Sequence, residues 1–261
     1  MQQASTRSDI SVVIIAKDAV HTLDYCLRSA CALSPDVILV LDPKSDDDTE
    51  ALANNYPVRV IKTPWIGYGR TKNFGNYRAK NDWILSLDAD EYLDDKLLNE
   101  LRALSLRDNA VYLMNRLTYV GNTPIKHGGW HPDWKERLFN RKFVQWDDKP
   151  VHESLVIADD FEKVKLSGLM HHLSVKSFSE LDERLDRYAR LRAQEWMTKP
   201  RKQGIIYRLF RPSFRFFRNF VLRRGFLDGS NGWRIAKAEY LMIKKQYQYY
   251  DLIKRNIKPA N

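Results

Sequence analysis

The sequence predicts an α/β fold whose sheet is mostly parallel, with flanking helices and a basic helical extension at the C-terminal end. Three observations lead to this prediction. Short apolar segments rich in β-branched residues, at 11–16, 37–41, 58–61 and 83–87, are typical of buried strands. Segments with helical periodicity, at about 20–32, 47–55 and 71–78, alternate with them as in βαβ units. From Ser177 onward the pattern is helical to the end of the chain.

Composition limits the class of protein. The chain has 261 residues, of which 44% are apolar and 29% charged, and this excludes a disordered or collagen-like chain. Its two cysteines, Cys26 and Cys31, are too few for a disulfide scaffold or a Cys-rich zinc module. The first residues are polar, and no apolar segment approaches the roughly 20 residues that a bilayer span needs. We therefore expect a cytoplasmic protein without a classical signal peptide or a transmembrane helix.

The positive charge is concentrated near the C-terminal end. Residues 176–261 contain 21 Lys and Arg but 8 Asp and Glu, a net charge of +13, whereas the rest of the chain has a net charge of −3. This contrast predicts two domains: residues 1–175, which contain the sheet, and residues 176–261, a basic, aromatic-rich helical region. A basic region of this kind indicates an anionic partner, and three are open at this point: nucleic acid, an anionic membrane or a phosphorylated acceptor.

Acidic side chains follow two of the predicted strands. Asp88-Ala89-Asp90 comes directly after the strand at 83–87, and Asp42 ends the strand at 37–41. Ligands of open parallel sheets bind at the carboxyl ends of the strands. Two carboxylates there can hold a divalent cation and its bound diphosphate, and Asp42 can accept hydrogen bonds from a base or ribose. The alternative for both is helix capping, in front of the helix near Asp94 or around Ser45.

The basic region contains an amphipathic pattern. A stripe of large apolar side chains is spaced by three and four residues, and an arginine stripe follows one position later. The first comprises Tyr207, Phe210, Phe214, Phe217 and Val221, and the second Arg208, Arg211, Arg215 and Arg218. Pro212 is predicted to start or kink this helix, and a second helix is predicted over 232–255. The pattern is typical of an interfacial helix on an anionic membrane. The alternative is a helix packed on the sheet domain with a solvated basic face. Because no recognised nucleic-acid-binding module is present, we expect no nucleic-acid partner.

The ordered motifs carry a family resemblance. The segments SVVIIAKD, VILVLDPKSDDDT, PWIGYGRTKNFG and DWILSLDADE resemble family 2 glycosyltransferases of the GT-A fold. The later segments KHGGWHPDWKERLFNRK, PVHESL and LMHHLSVKSFSEL resemble a narrower subgroup, the lipopolysaccharide and lipooligosaccharide core β-1,4-glucosyltransferases. The resemblance extends from about residue 10 to residue 255.

The resemblance implies an inverting, metal-dependent hexosyltransferase at the cytoplasmic face of the inner membrane. Its donor would be UDP-glucose, and its acceptor a heptose of the inner core of lipopolysaccharide or lipooligosaccharide. Two alternatives remain at this point. One is the same chemistry on a lipid-linked capsule, O-antigen or exopolysaccharide acceptor. The other is an inactive nucleotide-sugar-binding protein or membrane scaffold.

The resemblance also implies roles for individual residues. Glu153 is the expected catalytic base, and a divalent cation, Mn²⁺ or Mg²⁺, is expected on Asp88, Asp90 and His172. The expected donor-binding residues are Lys17, Asp18, Asp42, Lys72, Asn73, Asp88, Gly129 and Trp130. The sequence departs from the family pattern where Lys17-Asp18 replaces the usual Lys-Asn-Glu and Pro43-Lys44 the usual Ser-Gly.

Each of these residues also has a structural alternative. Glu153 could be a surface glutamate paired with Arg137 or Lys149. His171-His172 could be one exposed and one hydrogen-bonded histidine. Trp130 and Trp134 could fill a core instead of stacking on a sugar.

Overall fold

The structure is a computed structural model that describes residues 6–149, 153–198 and 204–257. The predicted α/β class is confirmed: within these residues a nine-stranded sheet is flanked by helices. The chain divides into two compact units. The first comprises the residues up to 116 together with 133–173, and the second comprises 117–132 together with the residues from 174 onward.

The first four strands alternate with helices as the sequence pattern predicts, and further strands follow them. The strands are β1 (Ile10–Ala16), β2 (Asp36–Leu41), β3 (Arg59–Lys62), β4 (Trp83–Asp88), β5 (Glu91–Leu93), β6 (Ala110–Val120), β7 (Thr123–Pro124), β8 (Trp134–Asn140), β9 (Gln145–Trp146), β10 (Leu155–Val156) and β11 (Glu162–Val175). The helices are α1 (Leu23–Leu33), α2 (Thr49–Ala53), α3 (Tyr68–Asn76), α4 (Asp95–Ala103), α5 (Phe178–Thr198), α6 (Ile205–Phe217) and α7 (Gly229–Ile257). A π-helical turn (Arg218–Leu222) and a short 3-10 helix (Gly225–Asp228) connect α6 to α7.

The main sheet is mixed. Its order is β3-β2-β1-β4-β8-β6-β11-β5, with β7 paired to the end of β6. The four strands β3, β2, β1 and β4 are parallel to one another, as predicted. Antiparallel pairs extend the sheet through β8, so the parallel part is confined to the first half of the chain. The carboxyl ends of β2, β1 and β4 therefore lie side by side at one edge.

Successive side chains of β1 point to opposite faces of the sheet and contribute to the core of the first unit on both faces. Val12 and Ile14 pack in one cluster with Leu23 and Leu27 of α1, and these four side chains have no exposed surface. Val13 and Ile15, which point to the opposite face, pack in a second cluster. Because successive side chains of a strand face opposite ways, a strand covered on both faces must be apolar throughout, as the sequence of β1 is.

Gly75 lies where α3 crosses β1 and β2. A Cβ atom there would lie 2.5 Å from Val13 Cγ1 and 2.8 Å from Val40 Cγ2. We expect Gly75→Ala to lower the free energy of unfolding by about 1–3 kcal/mol, because overpacking outweighs the better helix propensity of alanine. Urea denaturation measures the change. In a Gly75→Ala/Val13→Ala double variant the nearer methyl is gone, so the combined loss should be smaller than the sum of the single losses. Wild-type stability of Gly75→Ala would contradict this close packing.

Several strands were not predicted, and two of them, β5 and β11, shape the site. The short strand β5 pairs with β11, so that Glu91 lies opposite His172. The fourteen-residue strand β11 has exposed polar side chains over its first part, which hide the apolar pattern of a strand. Asp94 caps α4 by accepting a hydrogen bond from the backbone N–H of Leu97, at 2.7 Å. The capping alternative for Asp88 and Asp90 is therefore wrong, because another aspartate performs that role.

The second unit is built from α5, α6 and α7 around a small apolar cluster that includes Ile125, Leu181 and Ile235. Helix α6 begins at Ile205 and continues past Pro212 to Phe217, so the prediction that it starts at the proline is wrong, while a kink there stays a prediction. Ion pairs with α7 hold α6 on both sides of this residue, through Arg208 and Arg215. None of the helices in the described residues has both the length and the apolar composition that crossing a bilayer demands.

Candidate functional site

Acidic and basic side chains of the first unit meet at the carboxyl ends of β1, β2 and β4. Lys17 and Asp18 follow β1, Asp42 follows β2, and Asp88 ends β4. These three strands are adjacent and parallel, so their ends share one edge of the sheet. This edge is where the sequence predicts ligand binding, and in open α/β sheets it is where ligands lie.

Asp42 is a buried carboxylate at this edge. Its side chain is 2% exposed, and one oxygen accepts a hydrogen bond from the backbone N–H of Lys44 at 3.0 Å. The Lys17 ammonium lies 4.0 Å from its other oxygen. Asp18 has the left-handed φ of 50° and accepts a hydrogen bond from the backbone N–H of Asp46 at 2.7 Å. Asp18 therefore shapes the loop after β2, and Asp42 and Lys17 form the polar pair beside it.

Lys72 joins two of the predicted functional carboxylates. It lies in α3, only 1% exposed, with Nζ 2.9 Å from Glu153 Oε1 and 3.0 Å from Asp88 Oδ1. The ammonium also stands over the ring of Trp146, 4.5 Å from its centroid. A buried ammonium is stable only with such partners. Lys72 thus holds Glu153 near Asp88, although Lys72 and Glu153 are 81 residues apart in the sequence.

Glu153 pairs with neither of the two cations considered from the sequence. Lys149 instead lies 2.5 Å from Asp147, and Arg137 pairs with Asp88 and Glu91. The surface alternative for Glu153 is therefore wrong, since its side chain is 17% exposed and bound to a buried lysine. His152, the preceding residue of the PVHESL motif, lies outside the described residues.

Asn73, next to Lys72, supports the strand beneath the site. Its amide nitrogen donates to the carbonyl oxygen of Trp146 at 2.9 Å, and its amide oxygen accepts from the backbone N–H of Trp146 at 3.1 Å. Both polar atoms of the side chain therefore bind β9. A donor contact by Asn73 stays a prediction from the family resemblance.

A buried charge network that the sequence analysis missed holds Asp88 in place. Arg137 of β8 donates to Asp88 Oδ2 at 2.8 Å and to Glu91 Oε1 at 2.6 Å. Glu91 has no exposed surface, accepts from the backbone N–H of Asp88 at 3.1 Å, and lies 3.3 Å from Arg116. Burial by itself would raise the pKa of Asp88, but the Lys72 ammonium and the Arg137 guanidinium hold that pKa well below its ordinary value. Because Arg137 follows the charged residues Lys135 and Glu136 in β8, the local sequence has no signal that distinguishes it.

Asp90 and His172 form a second polar pair. His172 Nε2 lies 3.3 Å from Asp90 Oδ2, and the backbone of Leu173 donates to the carbonyl oxygen of Asp90 at 2.8 Å. The pairing of β11 with β5 brings His172 to this position. Of the three residues predicted to bind metal, the structure thus joins Asp90 and His172, while both Asp88 oxygens face cations.

Asp90 and His172 fit a divalent cation that takes its remaining ligands from a bound substrate. Across the described residues, no group of three His, Cys, Asp or Glu side chains is arranged to hold a metal ion. Mg²⁺ is commonly bound through one or two carboxylates together with substrate phosphates, and carboxylate also suits Mn²⁺. Asp90 and His172 supply a donor set of this size.

Gly129 and Trp130 belong to the second unit. The indole N–H of Trp130 donates to Glu239 at 3.2 Å, and its ring packs against the apolar cluster of that unit. Gly129 has a φ of 88°, and Arg223 fills the space that a side chain would need. These contacts give both residues a structural role in the second unit, and donor binding by them stays a prediction.

Comparison with known proteins finds a family whose model matches this chain. Residues 11–164 match the family described as "Glycosyl transferase family 2". This segment contains β1 to β4 and every first-unit site residue described above except His172.

Relatives extend the similarity over nearly the whole chain. The "Uncharacterized glycosyltransferase" of Rickettsia bellii is 28% identical over 251 residues, which cover 90% of this chain and 85% of that protein. The "Lipopolysaccharide core biosynthesis glycosyltransferase LpsC" of Rhizobium meliloti is 28% identical over 268 residues, 93% of each chain. Among solved structures, S. aureus TarS 1-349 in complex with UDP covers 97% of this chain and 93% of that chain, with 11% identity and a TM-score of 0.44.

Proposed function

This chain belongs to glycosyl transferase family 2, and on that premise we propose that it transfers glucose from UDP-glucose to the inner core of lipopolysaccharide or lipooligosaccharide. The acceptor residue is a heptose, and the configuration at the anomeric carbon is inverted. The similarity to LpsC supports this class of acceptor. The domain prediction fits this proposal, with catalysis assigned to residues 1–175 and contact with the membrane and acceptor to residues 176–261.

The observation that carries the proposal is the chain of contacts from Glu153 through Lys72 to Asp88. A glycosyl transfer needs a base for the attacking hydroxyl and a separate site for the leaving diphosphate. Glu153 and Asp88 each lie within 3.0 Å of the same ammonium group. The proposed base and the proposed diphosphate site are therefore neighbours but use different carboxylates. The carboxylate of Glu153 takes the proton of the acceptor hydroxyl. The freed oxygen then attacks the anomeric carbon from the face opposite UDP, while the bond between that carbon and the diphosphate oxygen breaks and UDP leaves with the electron pair.

Other side chains bind and orient the donor. The Asp42 carboxylate accepts hydrogen bonds from the uridine, and Lys17 and Lys72 offset the negative charge of the donor. Asp90 and His172 would hold a divalent cation, with Asp88 beside them, and this cation when bound offsets charge on the leaving diphosphate. Asp88 stays ionised because of its two cationic neighbours.

Release of UDP from a panel of UDP-sugars tests the proposal. We expect release to be fastest with UDP-glucose in the presence of a heptose-containing core acceptor, and to require Mn²⁺ or Mg²⁺. Asp90→Ala removes a donor atom of the proposed cation site, so release should fall by at least about 100-fold, comparable to the effect of EDTA. Asp95→Ala, an exposed aspartate in the first turn of α4, is the matched control and should retain full activity.

The outcomes separate the alternatives. Release that is indifferent to EDTA and to Asp90→Ala would contradict the metal assignment. If a capsule, O-antigen or exopolysaccharide precursor is the only effective acceptor in the assay, that result would overturn the proposed acceptor but support the proposed transfer reaction. If no donor is turned over with any acceptor, while calorimetry shows UDP-sugar binding, the protein is an inactive binding protein.

A further inference from the structure

Helix α6 of the second unit turns its polar side toward α7. Arg208 donates two hydrogen bonds to Asp251, at 2.5 and 2.8 Å, and Arg215 donates to Glu239 at 2.9 Å. Asn219, one turn further on, is buried and also donates to Glu239. The predicted arginine stripe therefore packs inward in part, contrary to a purely solvated basic face, because α7 offers acidic partners at matching positions.

As a result, the apolar side of α6 faces outward. Phe210 and Phe214 stack on one another, with centroids 5.5 Å apart, yet Phe210 remains 64% exposed. Other large apolar side chains of α6 and of the segment after it are also at least 43% exposed, and we call the whole set the outer apolar surface: Ile206, Leu209, Phe210, Phe214, Phe217, Val221, Leu222, Phe226 and Leu227. Single exposed apolar residues are common on proteins, but this set lies within one segment, and Ile206, Phe210, Phe214 and Phe217 repeat at helical spacing, which indicates an interaction site.

The charge of this part of the chain indicates what covers the surface. Residues 204–257 contain twelve Lys and Arg but three Asp and Glu, a net charge of +9. Each of the three acidic residues already has a cationic or histidine partner: Asp228 binds His127, Glu239 binds Arg215, and Asp251 binds Arg208. Arg223 and Arg224, next to Leu222, are exposed. The outer apolar surface is thus bordered by positive charge.

A second copy of the chain would be a poor partner for this surface, because it would bring the same cations against Arg223 and Arg224. An anionic bilayer offers both negative charge and an apolar layer. Its headgroups attract lysine and arginine, and the boundary below them accepts phenylalanine and leucine side chains.

We propose that the outer apolar surface inserts into the headgroup boundary of an anionic membrane, with α6 lying in the membrane plane. This inference rests on the proposed function for the choice of a lipid layer as partner, since the acceptor is lipid-borne. It identifies the residues that insert and assigns part of the arginine stripe to internal ion pairs. It also explains how the protein reaches such an acceptor when none of its described helices could span a bilayer.

Sedimentation with vesicles tests this proposal, and it needs neither donor nor acceptor. The full chain is mixed with vesicles made of equal parts phosphatidylglycerol and phosphatidylcholine, or of phosphatidylcholine alone. We expect binding to the anionic vesicles that weakens at high salt. The variant Phe210→Ser/Phe214→Ser/Phe217→Ser should bind them at least about tenfold more weakly, because three apolar side chains no longer enter the boundary.

A matched control uses three exposed aromatic residues of the first unit. Tyr25→Ser/Tyr77→Ser/Phe143→Ser removes similar exposed side chains and should bind like wild type. Circular dichroism and gel-filtration profiles establish that each variant folds. Equal binding by wild type and the α6 variant would overturn the proposal, and so would the absence of wild-type binding to anionic vesicles. A dimer lost in the α6 variant, without vesicle binding, would identify a second copy as the partner. UDP release, measured separately, reports the proposed function and can fail while vesicle binding succeeds.

Discussion

Glu153→Gln should abolish glycosyl transfer while leaving donor binding intact. The amide cannot take a proton from the acceptor hydroxyl, but its oxygen can still accept a hydrogen bond from Lys72, which lies 2.9 Å from the carboxylate. The site should therefore keep its geometry. Loss of a positioned general base typically costs about 100- to 10,000-fold in rate, so we expect kcat to fall within that range. Product formation from UDP-glucose and a core acceptor measures the rate, and calorimetry with UDP measures binding.

The matched control is Glu136→Gln. Glu136 of β8 also pairs with a lysine, Lys163, at 3.1 Å, but the two side chains are 33% and 55% exposed, and the pair lies outside the charge network around Asp88. This variant should retain activity. If Glu153→Gln transfers sugar at the wild-type rate, Glu153 is not the base. If it instead loses UDP binding, its role is to hold Lys72 rather than to move a proton.

Arg137→Met should be the most destabilising single substitution at the site. Arg137 neutralises the fully buried carboxylate of Glu91 and the partly buried carboxylate of Asp88, and the aliphatic methionine removes both contacts. Breaking a buried ion pair by removing one partner costs about 3–5 kcal/mol, because the remaining charge is left without compensation. For a protein of this size that loss lowers Tm by roughly 6–20 °C. Thermal unfolding followed by circular dichroism measures the shift.

A surface ion pair provides the comparison. Lys142, 63% exposed, lies 2.7 Å from Asp82, and Lys142→Met should change stability by less than about 1 kcal/mol. Arg137→Lys keeps a charge but cannot donate to both carboxylates in the same geometry, so its Tm should lie between those of wild type and Arg137→Met. Equal Tm values for Arg137→Met and Lys142→Met would show that the buried network does not stabilise the fold.

The parallel half of the sheet was predictable from sequence because its strands are covered on both faces. Segments such as β1 and β2 must then be apolar throughout, and that property is visible within a few residues. The long strand β11 lacks this property, because its first part is largely exposed. Its pairing with β5, which sets His172 beside Asp90, depends on a partner about eighty residues earlier in the chain. Such pairing leaves no local pattern in the sequence.

The sequence by itself determined that Asp42, Asp88 and Asp90 lie at strand ends, because strand position and the carboxyl-end rule are local properties. The family resemblance added Glu153, Lys72 and His172. Only the tertiary structure decided which charges meet: Lys72 with Glu153, and Arg137 with Asp88, over separations of 81 and 49 residues. It also decided that α6 displays its aromatic side. An amphipathic helix has two faces in its sequence, and which face is buried depends on the partner that packs against it, here the acidic residues of α7.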